Sequence, residues 1–161
     1  MNDASWLSPA TVFALVAAGL FFLCGLLTGV WKYRWMIGSE QAEAPYYVNI
    51  AHRTSLMYSF ACLLLGTFAQ FSAWPERVNL AGVAVPALFF AGAVTSYVIH
   101  GLLRDTDNQL RRPHRLGSFR VPTGLIRLAM AGVILGETGG FLVLFTGFVA
   151  ALLAGMPAGP S

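Results

Sequence analysis

Four apolar runs, Thr11 to Val30, Ser55 to Trp74, Val78 to Leu103 and Val121 to Ala154, each reach the roughly 20 residues that a helix needs to cross the hydrocarbon core of a bilayer. Backbone placed in lipid must satisfy its own hydrogen bonds, so the runs are expected to be helices, and a closed barrel would need far more segments. Polar or turn-forming residues separate them: Lys32, Arg34, Glu40 and Glu43 in the first gap, Trp74-Pro75-Glu76-Arg77 in the second, and the polar stretch from Arg104 to Arg120 in the third. The expected fold is all-α, one integral membrane domain built as a four-helix transmembrane bundle. Its helices fall at about 11–30, 50–74, 78–103 and 121–154, joined by loops at 31–49 and 104–120.

Composition agrees: 57% of the 161 residues are hydrophobic and only 11% charged, more apolar surface than a water-soluble core could hide. The net charge of +3 does not point to nucleic acid, because the basic residues flank the spans, where they act as topology signals. Of the ten, Lys32, Arg34, Arg53, Arg104, Arg111, Arg112, Arg115, Arg120 and Arg127 lie in or beside the first and third loops, and only Arg77 lies opposite. Positive residues mark the cytoplasmic side, so those loops are expected in the cytoplasm and both termini outside, in a bacterial inner membrane. The start, with Asp3 and no Lys or Arg, lacks the basic region of a cleavable signal, so the first run is expected to stay in the mature protein. Cys24 and Cys62 fall inside apolar runs without metal-type spacing and read as small hydrophobes.

Gly132, Gly136 and Gly140 recur at four-residue spacing, and Gly25 and Gly29 close the first run, so both helices have smooth faces. Tight helix packing is the plain explanation; a subunit interface or the approach of a flat ligand is the other. There is no internal repeat of the kind that builds many transporters.

Polar groups in a span are costly, and here they form a small set: His52, Arg53, Tyr58, Tyr97, His100, Arg104 and Glu137. His52 opens the second helix and His100 closes the third, which places both imidazoles just inside the cytoplasmic boundary, with Arg53 and Arg104 beside them. Tyr97, His100 and Arg104 are spaced i, i+3, i+7 and share one helix face. A histidine on an apolar helix beside glycine-lined neighbours suits a haem iron, although a histidine at a helix end can equally be hydrogen-bonded or solvated. Glu137 falls near the middle of the fourth helix, where it requires a partner, Tyr58 or Tyr97, or a retained proton. His114 reads as a loop residue, Asp105, Asp107 and Asn108 as a solvated helix end without the spacing of a Ca²⁺ loop, and the basic loop as a contact for anionic headgroups.

With Ala51-His52, Tyr97 and Gly136-Glu137 on the second, third and fourth helices, the chain resembles the styrene oxide isomerases, small four-span membrane proteins that rearrange aryl epoxides to aldehydes. Tyr97 stands at the spacing from His52 at which that family places its active-site Tyr, and Gly136-Glu137 stands where the family shows Gly-Asp. The family's Asn, six residues after its His, is Tyr58 here. The resemblance implies a haem b held between the subunits of a homotrimer, His52 as its axial ligand, Tyr97 orienting the substrate, and ferric iron serving as a Lewis acid on a hydrophobic epoxide. Two other functions stay open at this point. A b-type electron-transfer subunit would use both His52 and His100 as iron ligands, and a haem-free scaffold would use the polar residues only to join helices.

Overall fold

A computed structural model describes residues 7–155, so the Asp3-bearing start lies outside the described residues. The chain forms α1 (Pro9–Ile37), α2 (Tyr46–Gln70), α3 (Glu76–Leu103), β1 (Arg115–Leu116), β2 (Phe119–Arg120) and α4 (Thr123–Gly155). The architecture is all-helical apart from one two-stranded hairpin. Three helices, α1, α3 and α4, are long and apolar enough to cross a membrane, which is compatible with an integral membrane protein. The polar first half of α2, with Asn49, His52, Arg53, Thr54, Ser55 and Ser59, sets it apart from them.

Local chemistry sets the helix ends. Ser8 caps α1 by accepting the Thr11 N–H at 3.2 Å, and Pro9 fills the first turn, where its missing N–H costs nothing. The Glu76 carboxylate accepts the Ala10 N–H at 2.6 Å, tying the start of α3 to the start of α1. Lys32 and Arg34 do not break α1, which runs past Val30 to Ile37 because no glycine or proline intervenes before Gly38. Pro45 and Pro75 stand at the N-caps of α2 and α3. Arg104 closes α3 in the left-handed conformation at φ 51.

Small residues bring α1 and α2 together. Ala10, Ala14, Ala18 and Gly25 are buried on one face of α1, and Ala51, Ser55, Ser59, Cys62, Gly66 and Ala69 are buried on α2. Ala14 meets Gly66 while Gly25 meets Leu56 and Gly29 meets His52, so the helices run antiparallel in contact over most of their length. A second seam joins α3 to α4: Gly82 faces Leu144, Pro86 faces Gly140, and Phe89 lies across Gly132 and Gly136. Pro86 removes the hydrogen bond that the Gly82 carbonyl would otherwise receive within α3, and that carbonyl faces Gly140. The glycine faces expected from the sequence are therefore packing seams within the chain. At the far end, the Trp74 indole donates to the Val143 carbonyl at 2.9 Å and the Ala73 amide donates to Gly147 at 3.0 Å, docking the α2–α3 turn on α4.

Candidate functional site

His52 is half-buried between α1 and α2, with Nδ1 2.8 Å from the carbonyl oxygen of Gly25. A carbonyl can only accept, so Nδ1 carries the proton and a neutral ring has its lone pair on Nε2. The ring also lies over Gly29, where an added Cβ would stand 2.9 Å from Cε1. The glycine admits the histidine itself. Among the described residues no group of three His, Cys, Asp or Glu side chains gathers to hold a bare metal ion. A single oriented imidazole fits an iron that arrives with four nitrogens of its own, as in a porphyrin.

Tyr58 lies farther along α2, its ring stacked on Phe90 of α3 at 4.0 Å between centroids and met edge-on by Phe21 of α1 at 6.1 Å. Phe21 and Phe90 are buried, so this cluster forms the apolar middle of the bundle. The Glu137 carboxyl on α4 lies near the hydroxyls of both Tyr58 and Tyr97 but is hydrogen-bonded to neither. The two tyrosines expected as partners thus lie on its side of the bundle. Its Oε1 is buried without a hydrogen-bond partner. Three helices converge here on two phenols and an acid, a set that can donate hydrogen bonds to a ligand oxygen.

His100 has different surroundings. It is 5% exposed, its Nδ1 is 2.7 Å from Asp105 Oδ1, and its ring packs against Tyr47 at 5.1 Å. Tyr97 stacks on the same Tyr47 ring at 5.8 Å. Tyr47 and His52 are five positions apart on α2, about 140° around the helix, so His52 turns to α1 while His100 turns to α2 and the loop. Arg53 is exposed, and Arg104 projects from the end of α3 with its guanidinium over Trp35 at 5.2 Å. The structure places Tyr58, Tyr97 and Glu137 in one region of the bundle without a hydrogen bond among them, and among the described residues no contact joins His52 to this trio or to His100.

The stretch after α3 is a folded cap. Asp105, expected as a solvated charge, is half-buried with its side chain only 9% exposed, and its Oδ2 accepts the Gly117 N–H. Burial pushes its carboxyl up, but the hydrogen bonds from His100 and Gly117 hold it, on balance, below the ordinary carboxylate value. Asp107 does behave as expected, pairing with Arg111 at 2.9 Å in solvent. His114, read from the sequence as a loop residue, does lie in the loop, where it is 6% exposed with Nδ1 3.3 Å from the Gln109 carbonyl. The Gln109 amide donates to the Tyr47 hydroxyl at 2.6 Å. Tyr47 is the residue that sequence reasoning missed; its signal was a tyrosine pair directly after Pro45, at the start of a helix.

Comparisons with family models, with curated proteins and with solved structures found no match.

Proposed function

We propose that the protein is a membrane-embedded, haem b-dependent isomerase that rearranges a hydrophobic aryl epoxide to a carbonyl compound. The observation that carries the proposal is the Nδ1 hydrogen bond of His52 to Gly25, which commits one ring nitrogen to the protein and leaves Nε2 as the nitrogen that would hold the iron. When bound, ferric haem would supply a Lewis acid at the epoxide oxygen. Tyr97, with Tyr58, hydrogen-bonds that oxygen and orients the substrate. Phe21 and Phe90, packed around Tyr58, keep out water that would trap a developing cation as a diol. Glu137, with its Oε1 buried and unpaired, offers from α4 a carboxyl that can bond a phenol or the substrate oxygen when the site is filled. The His100 ring packs on Tyr47, on the side of α2 turned away from His52, and this favours the reading over a two-histidine electron carrier.

The same proposal includes four crossings. The 25 residues of α2 reach about 37 Å, enough to span, and α2 turns its small polar side chains against α1. Both termini then lie on the non-cytoplasmic side of a bacterial inner membrane, opposite the basic loops. The homo-oligomer is a trimer with haem between subunits, and α4, on which only Gly140, Leu144 and Gly147 are buried, offers apolar surface for it.

An aldehyde assay on haem-loaded proteoliposomes given an aryl epoxide tests the activity. Tyr97→Phe is expected to lower kcat by about 10²-fold, as loss of one donor to a developing oxyanion does. Haem-loaded wild-type protein that forms no carbonyl product from any aryl epoxide would rule the activity out.

A further inference from the structure

The cap after α3 encloses a cleft of about 510 Å³ between the start of α2 and the loop, lined by Tyr46, Tyr47 and His100 and by Arg104, Arg111, Arg112 and Arg115. Two carboxylates lie in it, and both are engaged: Asp107 by Arg111 and Asp105 by His100. Arg104, Arg112 and Arg115 therefore have no carboxylate partner among the described residues. Arg112 and Arg115, with no partner among the described residues, and Arg104, whose guanidinium has only the Trp35 ring, surround a concave site with a buried histidine in its wall and make a receptor for a phosphate group, because guanidinium forks match phosphate oxygens.

The surroundings say which phosphate. In the hairpin, Arg115 pairs with Arg120 and Leu116 with Phe119, so arginines occupy one face and apolar side chains the other. Phe119 is 76% exposed, Leu102 and Leu103 are exposed at the end of α3, and Leu110 is exposed in the loop. Gly117, at φ +60, makes the tight turn and lies against Leu103 at the end of α3. An apolar rim beside a cationic cleft, at the end of a membrane-compatible helix, matches a headgroup phosphate with acyl chains alongside it. We propose that this cleft is a binding site for the phosphate of an anionic phospholipid, pinning the cap to the membrane surface. The inference is independent of haem and of the isomerase reaction.

Native mass spectrometry of the detergent-solubilised protein tests it, with phosphatidylglycerol, phosphatidylcholine of the same chains and inorganic phosphate as parallel arms. The variants are Arg112→Gln/Arg115→Gln and, as a control at the opposite end of the bundle, Arg77→Gln. Wild type and the control are expected to retain phosphatidylglycerol in preference to phosphatidylcholine. The double variant should lose about fivefold per arginine, roughly 25-fold in all, in apparent affinity. Since both arginines are exposed, the double variant is expected to keep the thermal stability of the wild type, measured in lipid-free detergent. Equal retention of the two lipids, or an unchanged preference in the double variant, would overturn the site. Inorganic phosphate bound as tightly as phosphatidylglycerol would overturn the lipid as its source.

Discussion

His52 and Gly29 are locked face to face across the α1–α2 seam: the ring lies so close over the glycine that a single methyl at position 29 would stand 2.9 Å from Cε1. The same ring is held by the Gly25 carbonyl one turn earlier on α1, so α1 decides where the imidazole of α2 points. Orientation of the proposed ligand is thus a property of helix packing.

Gly29→Ala should consequently displace the ring. The expected result is a loss of about 1–3 kcal/mol of stability, typical of overpacking, together with reduced haem retention. Gly19→Ala, on the same helix with open space at its Cβ, should gain a few tenths to about 1 kcal/mol from helix propensity and keep haem. Thermal unfolding in detergent and the haem-to-protein absorbance ratio measure both. Equal behaviour of the two variants would separate Gly29 from the ligand.

A parallel contrast holds on α4. Gly140→Ala would drive a methyl into the Pro86 ring and the Gly82 carbonyl, whereas Gly139→Ala would meet nothing. Since Pro86 and the backbone cannot swing aside, Gly140→Ala should destabilise by about 1–3 kcal/mol and Gly139→Ala should not. The difference in unfolding temperature between the two is the measurement.

The cap should respond to acid through Asp105. Its carboxyl titrates below the ordinary value in the folded protein, so its contribution to stability is complete above the unfolded-state value near 3.8 and is lost as pH falls through the lower folded-state value. Hydrogen exchange at the Gly117 amide, which donates to this carboxyl, should stay slow relative to its intrinsic rate from neutral pH down to that value and lose its protection below it. Asp105→Asn should weaken the protection above that value and abolish the acid step.

If α2 crosses the bilayer, the loops on its two sides face opposite compartments. Single cysteines placed at Ser39, between α1 and α2, and at Ala73, between α2 and α3, in a background lacking Cys24 and Cys62, should react with a membrane-impermeant thiol reagent from opposite sides. Labelling from one side only would leave α2 lying against the bundle without spanning.

Much of the helix plan was legible because the length of an apolar run is a property of composition alone: α3 begins within two residues of its expected start and ends at Leu103 as expected. The glycine spacing likewise announced a close-packing face on α4, though not that Pro86 and Phe89 of α3 fill it. Helix ends were less legible; α1 continues through Lys32 and Arg34 because charges at a membrane boundary are compatible with helix. The cap was not legible at all. Asp105 is half-buried by a bond to His100 and another from Gly117, twelve residues away, and Tyr47 gains its place from Gln109, contacts that no local pattern encodes. His52, Tyr58, Tyr97 and Glu137 could be singled out as polar groups in apolar surroundings, but only the packing of α1 against α2 reveals which nitrogen of His52 is committed.

The most direct test of His52 as haem ligand is the absorption spectrum of the detergent-purified protein, oxidised and then dithionite-reduced, with a pyridine haemochrome assay of the same sample and of His52→Ala. The expected result is a stoichiometric b-type signal with a five-coordinate, high-spin ferric spectrum, absent in His52→Ala. Haem retained by His52→Ala, a six-coordinate low-spin spectrum, or no haem after expression with added precursor would contradict it.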